Sequence, residues 1–426
     1  MKVLVIGGGG REHAIVWKIS KSPHVDQIFC APGNGGISDI AECIDIKATD
    51  ITRMVDFAVK ERIDLIVVAP DDPLALGMVN ALEEKGLRAF GPRKEAAILE
   101  SSKVFAKDFM KRYNIPTAQY EVFDCPEKAK EYIHGCSYPI VIKADGLAFG
   151  KGVIIAQNKD EASKAIRDIM VDKVFKQAGN RIVIEEFLTG TEVSLLVFTD
   201  GKTYIPMVSA QDYKRVYDRD EGPNTGGMGS VSPNPMYTNE IAACVEEKIV
   251  KSTIDAMTAE NRRFKGVLYF GLILTNEGPK LLEYNARFGD PETQVILPRL
   301  KTDLFEIMNA IIDEQLHEIE IQWEDNAAAC VIAASAGYPG SYQTGFEIFG
   351  LNQLESSENV MVFHAGSRKE QGRYYTDGGR VLGVTALGST LDQAINEAYQ
   401  AISLISFDGI HYRKDIGKKD IGRLGG

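Results

Sequence analysis

Several protein classes are excluded by what this 426-residue chain lacks. Its six cysteines (Cys30, Cys43, Cys125, Cys136, Cys244, Cys330) are dispersed without a C-x-x-C pair. That argues against a zinc ribbon, a redox dithiol or a disulfide scaffold and suits a reducing cytosol. The six histidines include no H-E-x-x-H, and no G-x-S-x-G elbow occurs; neither structural zinc nor a covalent Ser or Cys nucleophile is expected. No apolar run approaches the ~18 residues of a membrane span. Positive charge is in deficit: 48 Lys+Arg against 60 Asp+Glu give −12, which disfavours nucleic acid or a membrane surface as partner. Met1-Lys2-Val3-Leu4-Val5-Ile6 carries no basic leader or cleavage site and reads as a first strand, so a cytoplasmic location is expected.

What is present fits a globular protein. Hydrophobic content is 44% and charged content 25%, close to ordinary values, so packed cores rather than disorder are expected. At ~150 residues per domain the length suggests about three domains. Glycine is in excess: 40 of 426 residues, against a typical ~7%. Sixteen of the 40 gather in five clusters, within 7–10, 33–36, 146–152, 222–229 and 378–379.

The first hundred residues alternate strand and helix. Strands are predicted at Val3–Ile6, Gln27–Cys30 and Asp64–Ala69, with helices after Gly10, near 53–61 and over 74–85. The unbroken apolarity of 64–69 marks a strand buried on both faces, as in a parallel sheet. A helix over 101–113 is capped by Ser101 or Ser102. Strands then cluster at 140–143, 152–155, 182–185 and 193–197, with a helix over 159–170, an antiparallel α+β signature. A long Gly/Pro-rich loop is predicted over 211–235, a helix over 239–260 and strands at 267–274 and 280–284. A small α+β module follows Trp323.

The glycine clusters lie at chemically suggestive positions. Gly7–Gly10, followed by Arg11-Glu12-His13, joins a strand to a helix, where backbone N–H groups meet anions. A bare turn or a nicotinamide site are the alternatives. The dinucleotide fingerprint fails because Glu12 takes its third glycine position and Cys30-Ala31-Pro32 offers no ribose-binding acid. Lys143 ends an apolar strand, where burial is costly without an anion; with Gly150, Lys151 and Gly152 it suggests a flap over polyphosphate, a plain hairpin being the alternative. Glu185-Glu186-Phe187-Leu188 is either a solvated acidic pair or a hinge whose backbone meets an adenine edge, with Glu192 near a ribose. The 211–235 loop supplies backbone donors with Asp212, Lys214 and Arg215. Glu283 and Asn285 share one strand face and offer oxygen ligands of the kind Mg²⁺ takes. Arg287, of the same parity, suits a transferring phosphoryl group or a carboxylate; a polar sheet face is the alternative.

Together these segments resemble ATP-grasp enzymes, and most of all the phosphoribosylamine–glycine ligase family of purine biosynthesis. The likeness runs through G-G-R-E-H-A at 9–14, A-P-G-N at 31–34, S-K-x-F-x-K-D at 102–108, I-P-T-A at 115–118, V-I-K-A-D-G-L-A at 141–148 and G-K-G-V at 150–153. It continues through I-E-E-F-L at 184–188, G-P-N-T-G-G-M-G at 222–229, F-G-D-P-E-T-Q at 288–294, G-G-R-V at 378–381 and R-K-D-I-G at 413–417. It implies a multidomain α/β and α+β fold: a doubly wound parallel α/β domain (1–103), an ATP-grasp core (104–326) with a flap subdomain over about 120–190, and a small C-terminal α+β domain (327–426).

The resemblance also implies a reaction. ATP phosphorylates the carboxylate of glycine, and the amine of 5-phosphoribosylamine attacks the glycyl phosphate. That chemistry needs positioning and charge neutralisation rather than an enzyme nucleophile. The family pattern makes Lys103 and Lys143 phosphate lysines, Gly150, Lys151 and Gly152 part of the flap, Glu185, Glu186 and Leu188 the adenine hinge, and Glu192 the ribose partner. It makes Glu283 and Asn285 ligands of Mg²⁺ or Mn²⁺, and Arg287 and Asp212 catalytic. Substrates are assigned to Gly9, Gly10, Arg11, Glu12, Lys214, Arg215, Asn224, Thr225, Gly226, Gly227, Met228, Gly229, Asp290, Glu292, Gly379 and Arg380. A monomer is implied, supplied with phosphoribosylamine by the preceding pathway enzyme, without nucleic-acid or membrane partners. Departures from the family pattern fall at Gly8, Asp71-Asp72, Phe149, Tyr213 and Asp377.

An ATP-grasp carboxylase is disfavoured by the 222–229 and 288–294 segments. An oxidoreductase is disfavoured by Glu12. An inactive nucleotide-binding regulator is disfavoured because Lys143, Glu283, Asn285 and Arg287 are all present.

Overall fold

In the computed structural model, which describes residues 1–147 and 152–418, the continuous apolar segments become buried strands. β1 (Lys2–Gly7), β2 (Gln27–Pro32), β3 (Glu42–Cys43), β4 (Leu65–Val68) and β5 (Ala89–Phe90) form a sheet of order β3-β2-β1-β4-β5, parallel throughout. Helices α1 (Gly10–Ile19), α2 (Ile51–Glu61), α3 (Asp71–Leu76) and α4 (Met78–Glu83) accompany it. The single helix expected over 74–85 is broken by Gly77 at φ +94°, a conformation glycine adopts without a Cβ penalty. Strand order reverses between β1 and β4, the place where open α/β sheets form ligand crevices. The turns after these two strands carry Gly8–Arg11 and Asp71.

Two short helices lead out of this unit, α5 (Lys94–Ser101) and α6 (Lys103–Arg112). Ser102 is the cap of α6, its Oγ accepting from Phe105 N at 3.1 Å, while Ser101 closes α5. An antiparallel sheet β6-β9-β7-β8 follows, from β6 (Tyr120–Phe123), β7 (Ile140–Ala144), β8 (Val153–Ala156) and β9 (Ile182–Glu186). Helices α7 (Pro126–Tyr132) and α8 (Lys159–Ile166) pack on it through Ala129, Ala162, Ile166 and Ile142.

A second antiparallel sheet pairs β10 (Thr191–Thr199) with β11 (Tyr204–Pro206) and with β16 (Gly266–Thr275), and β16 with β17 (Gly278–Asn285). The stretch expected as a loop over 211–235 contains β12 (Gln211–Asp212), β13 (Arg215–Tyr217), β14 (Glu221–Asn224) and β15 (Gly229–Ser232). These strands are too short for period-2 patterning to reveal. Between them and β16 lie α9 (Asn239–Val245) and α10 (Ser252–Ala259), joined by a wider turn at 246–251.

After α11 (Thr293–Ile296) and α12 (Leu304–Ile312) the chain enters β18 (Ala327–Ala334). β19 (Glu347–Ile348), β20 (Val360–His364), β21 (Ser367–Glu370), β22 (Arg373–Thr376), β23 (Arg380–Gly388) and α13 (Leu391–Ser403) complete the fold. β18, β23 and β20 form one sheet with β12 and β15, in the order β12-β15-β18-β23-β20. The division expected at 326/327 therefore runs between elements that share backbone hydrogen bonds. The last sheet also meets the first domain: His364 N donates to His13 Nδ1 at 2.8 Å, and Asn34 Nδ2 reaches Gly8 O (2.9 Å) and His364 O (2.7 Å). No helix among the described residues is long and apolar enough to cross a membrane.

Candidate active site

A cleft of about 890 Å³ opens where the two antiparallel sheets of the central region face each other and the parallel sheet. At one end its walls are apolar, with Met110, Val141, Ile155 and Leu282, beside the 186–188 strand end. At the other it holds Arg11, Asp71, Arg287 and Arg380. A flat base suits the first end and anionic groups suit the second.

Cations meet carboxylates between the two ends. α6 carries Lys103 and Lys107 one turn apart, so both face the cleft. Lys103 Nζ donates to Gly146 O at 2.8 Å, and burial pulls its pKa down against the pull of Glu283. Lys107 and Lys143 both ion-pair with Glu185, each at 2.9 Å. Burial opposes ionisation of Glu185, yet the two ammonium groups hold its pKa below the usual range. The N-terminus of α6 is tied to the β7–β8 turn: Ser102 Oγ and Val104 N both donate to Asp145 Oδ1 (2.9 and 3.1 Å).

Glu283 and Asn285 end β17 and line the cleft. Burial raises the Glu283 pKa, but Lys214, Lys143, Lys103 and Arg287 outweigh it and keep the carboxylate ionised. A carboxylate and an amide oxygen two residues apart are donors that fit Mg²⁺, with phosphate oxygens and water completing the shell. Arg287 donates to Asn285 Oδ1 (3.1 Å) and Phe288 O (3.0 Å) and ion-pairs with Glu100 (2.9 Å). Lys214 Nζ reaches Glu192 at 3.2 Å and Glu283 at 3.9 Å.

Beside this group is an acid-rich corner. Asp212 Oδ1 is screened from solvent without a hydrogen-bond partner among the described residues. Its pKa is pushed up by burial and by Glu292, against the pull of Lys214. Glu292 accepts from Ser194 Oγ at 2.9 Å. Arg380 pins the corner by donating to Gly226 O (2.6 Å), Asp290 O (3.0 Å) and Asp290 Oδ2 (3.0 Å).

Three stretches of the chain match models of known domains, in the order this architecture requires. Residues 1–100 match the phosphoribosylglycinamide synthetase N domain, 101–293 its ATP-grasp (A) domain and 328–419 its C domain. The chain belongs to this family. A phosphoribosylamine–glycine ligase of Clostridium acetobutylicum is 50% identical over 98% of this chain and 100% of its own length. A crystal structure of a phosphoribosylamine–glycine ligase from Thermotoga maritima superposes with TM-score 0.83 at 34% identity, covering 98% of this chain and 100% of that one. A biotin carboxylase of Campylobacter jejuni, 15% identical over 96% of this chain and 92% of its own, shares the fold with TM-score 0.74.

Within this phosphoribosylglycinamide synthetase fold, most of the residues expected at the site line the cleft. They are Arg11, Lys103, Lys143, Gly152, Glu185, Glu186, Leu188, Glu192, Asp212, Lys214, Arg215, Asn224, Thr225, Gly226, Glu283, Asn285, Arg287, Asp290, Glu292 and Arg380. Gly150 and Lys151, with Phe149, lie outside the described residues.

Other expected residues are engaged elsewhere. Glu12 accepts from Gly9 N (2.7 Å) and pairs with Arg11 (2.5 Å), so it closes the first loop from within. A Cβ on Gly10 would meet Gln294 Nε2 at 2.6 Å, so that glycine permits close packing. Met228 is fully buried beside Val216 and Ala334, a core role that its loop context concealed. Gly227 N is taken by Thr225 Oγ1 (3.0 Å), and Gly229 pairs with Val331 in the shared sheet. Gly379 makes room for the Tyr338 ring, which a Cβ would meet at 2.3 Å. Arg215, although it lines the cleft, also donates to Gly222 O (2.6 Å) and so braces its own hairpin.

Glu185, expected in the hinge through its backbone, lines the cleft with its carboxylate between two lysines. The Glu186 carboxylate accepts from Gln119 N at 2.9 Å. Lys107, Glu100 and Tyr338 were not anticipated. Lys107 was legible as the second lysine of S-K-x-F-x-K-D, four residues after Lys103. Glu100 and Tyr338 carry no local signal.

Proposed function

We infer that the chain joins glycine to 5-phosphoribosylamine at the expense of ATP, giving glycinamide ribonucleotide, ADP and phosphate. One observation carries this reading: Glu283 shares one cleft with Lys103, Lys143, Lys214 and Arg287, whose charges favour its ionised form, and that cleft also takes in Arg11 and Asp71 from the crevice of the parallel sheet. Polyphosphate and a phosphorylated sugar can thus meet in one cavity.

In this reading the adenine lies in the apolar end against the 186–188 strand end, and Glu192 meets the ribose. Lys103 and Lys143 neutralise the phosphates. Glu283 and Asn285 hold Mg²⁺, or Mn²⁺ with the same oxygen donors; the bound ion screens phosphate charge. Asp212 and the 224–226 backbone hold glycine near Arg287. A glycine carboxylate oxygen bonds to the γ-phosphorus as the bond to the ADP oxygen breaks. The amine then forms the amide bond, phosphate leaves with the electron pair, and the amine proton passes to phosphate or water. Arg287 stabilises charge on the transferring group, the kind of contribution that matters most in the transition state.

The same reading takes a monomer as the working unit. The six free cysteines suit a reducing cytoplasm. Delivery of phosphoribosylamine by the enzyme that makes it belongs to the same reading.

The test is ADP release coupled to a spectrophotometric readout, with ATP, Mg²⁺, glycine and freshly made phosphoribosylamine. Release should require both glycine and the amine. Release that ignores either one would overturn the reading.

A further inference from the structure

Glu100 lies in the last turn of α5, outside every motif that carries the nucleotide chemistry, yet it lines the cleft with a side chain only 9% exposed. Its two carboxylate oxygens are divided between consecutive residues. Oε2 accepts from Ala286 N at 2.7 Å, and Oε1 pairs with Arg287 Nη2 at 2.9 Å. One carboxylate therefore holds both the backbone and the guanidinium of the segment that follows β17. The same Nη2 donates to Asn285 Oδ1 at 3.1 Å, and Nη1 donates to Phe288 O at 3.0 Å. Arg287 Nε is buried with no hydrogen-bond partner among the described residues.

We propose that Glu100 is a positioning residue for the ligation: it fixes Arg287 in register with Asn285, so that the guanidinium faces the transferring phosphoryl group without having to reorganise. The proposal rests on the reading of the cleft given above.

The energetics favour this role over a purely structural one. Burial pushes the Glu100 pKa up to about 7, only partly countered by Arg287 and Arg11, and Asp71 adds to the rise. Desolvation of both charges offsets much of the Coulombic gain in a buried ion pair, so the pair is weak evidence of a stabilising role. What the pair does supply is orientation: three fixed acceptors leave the guanidinium one arrangement. Preorganised charge of this kind lowers a barrier because it need not rearrange as charge develops.

The experiment is a double-mutant cycle on the full chain with Glu100→Gln, Arg287→Ala and the pair, reading kcat and the KM for ATP from glycine-dependent ADP release. Glu100→Gln should lower kcat about 10- to 100-fold, the range of one lost charge-assisted hydrogen bond. KM for ATP should stay within about threefold, and Glu100→Asp should recover part of the rate. In the Arg287→Ala background the Glu100→Gln change should cost almost nothing further, because residues that act through one another do not add. Losses that multiply across the two sites would overturn the proposal, as would a raised KM with unchanged kcat. Should Glu100→Gln fail to fold by circular dichroism, the cycle is run with Glu100→Asp under the same criteria. Wild-type ADP release that ignores glycine would instead count against the reading of the cleft.

Discussion

Lys143 Nζ lies 2.9 Å from Glu185 Oε1, and both side chains are almost fully buried, at 7% and 2% exposure. Lys107 holds the other oxygen at the same distance. A lysine proposed to meet ATP phosphates is thus aimed by a carboxylate from the neighbouring strand, which a second lysine keeps ionised. Removing one member of a buried ion pair leaves the others uncompensated, at a cost of about 3–5 kcal/mol. The Lys107 ammonium, whose pKa burial already lowers to about 8, would then deprotonate readily. Glu185→Gln should therefore lower the melting temperature and raise the KM for ATP, with a smaller effect on the KM for glycine. Calorimetry and steady-state kinetics on one preparation check both; an unchanged KM for ATP would detach Glu185 from nucleotide binding.

Arg380 makes a different prediction. Its guanidinium gathers the carbonyls of Gly226 and Asp290 and the Asp290 carboxylate, which joins β23 to the corner holding Asp212. Burial opposes its charge, but Asp290 and its neighbours raise its pKa above the ordinary arginine value. Arg380→Ala releases the 224–227 backbone. Charge-assisted hydrogen bonds of this kind are worth about 1.5–3 kcal/mol, so the KM for glycine should rise about tenfold or more while ATP binding, measured by calorimetry, changes little. Arg380→Lys should not rescue, since a point charge cannot reproduce the planar fork.

The interface between the first and last domains predicts a pH dependence of stability. His13 and His364 are both buried, and burial lowers their pKa values to about 3 and about 4. Nearby charges modify this: His364 lowers His13 further, Asp39 raises both, and Lys369 lowers His364. In the unfolded chain each ring binds a proton near pH 6.5. Between about pH 6.5 and 4 the unfolded state therefore holds more protons, and stability falls as pH falls. The slope approaches about 1.4 kcal/mol per pH unit for each histidine. Above pH 6.5 this contribution is fully present and flat. Melting temperatures from pH 7.5 to 5 should decline, and His13→Gln should shallow the decline; an identical slope in the variant would count against the assignment.

The parallel sheet was legible because Val3–Ile6 and Asp64–Ala69 are apolar without interruption, and only a strand covered on both faces reads that way. Glu283 and Asn285 were legible because alternation on one strand fixes a shared face; Arg287 lies past the end of β17, yet lines the same cleft. Glu100 was not legible, since an acid in the last turn of a short helix looks like any solvated helix residue and its partner is 187 positions away. The sheet joining β15 to β18 was hidden for a related reason. Four-residue strands carry too little pattern, and their pairing is set by tertiary packing. Met228 shows the converse: a residue inside a glycine-rich motif can be core, because the motif's turns bury it.

Gly36 supplies a test of how tightly the two end domains must close. A Cβ there would come within 2.5 Å of the His364 ring and 2.6 Å of His13 Cε1. Both rings are buried and fixed by hydrogen bonds, His364 through Nδ1 to Ser367 Oγ at 2.8 Å, so neither can yield without breaking one. Overpacking of this sort costs about 1–3 kcal/mol. Gly36→Ala should lower the melting temperature. It should also raise the KM for phosphoribosylamine, because Asn34, two residues away, bonds Gly8 O in the first loop. The KM for ATP should hold, since the nucleotide end of the cleft is built from other elements. Gly135→Ala, where an added Cβ meets nothing within 4 Å, is the matched control and should stay within about 0.5 kcal/mol of wild type. Equal melting temperatures for the two variants would mean that the domain interface accommodates a methyl group, and that the crowding at His13 and His364 is relieved by a small rigid-body shift.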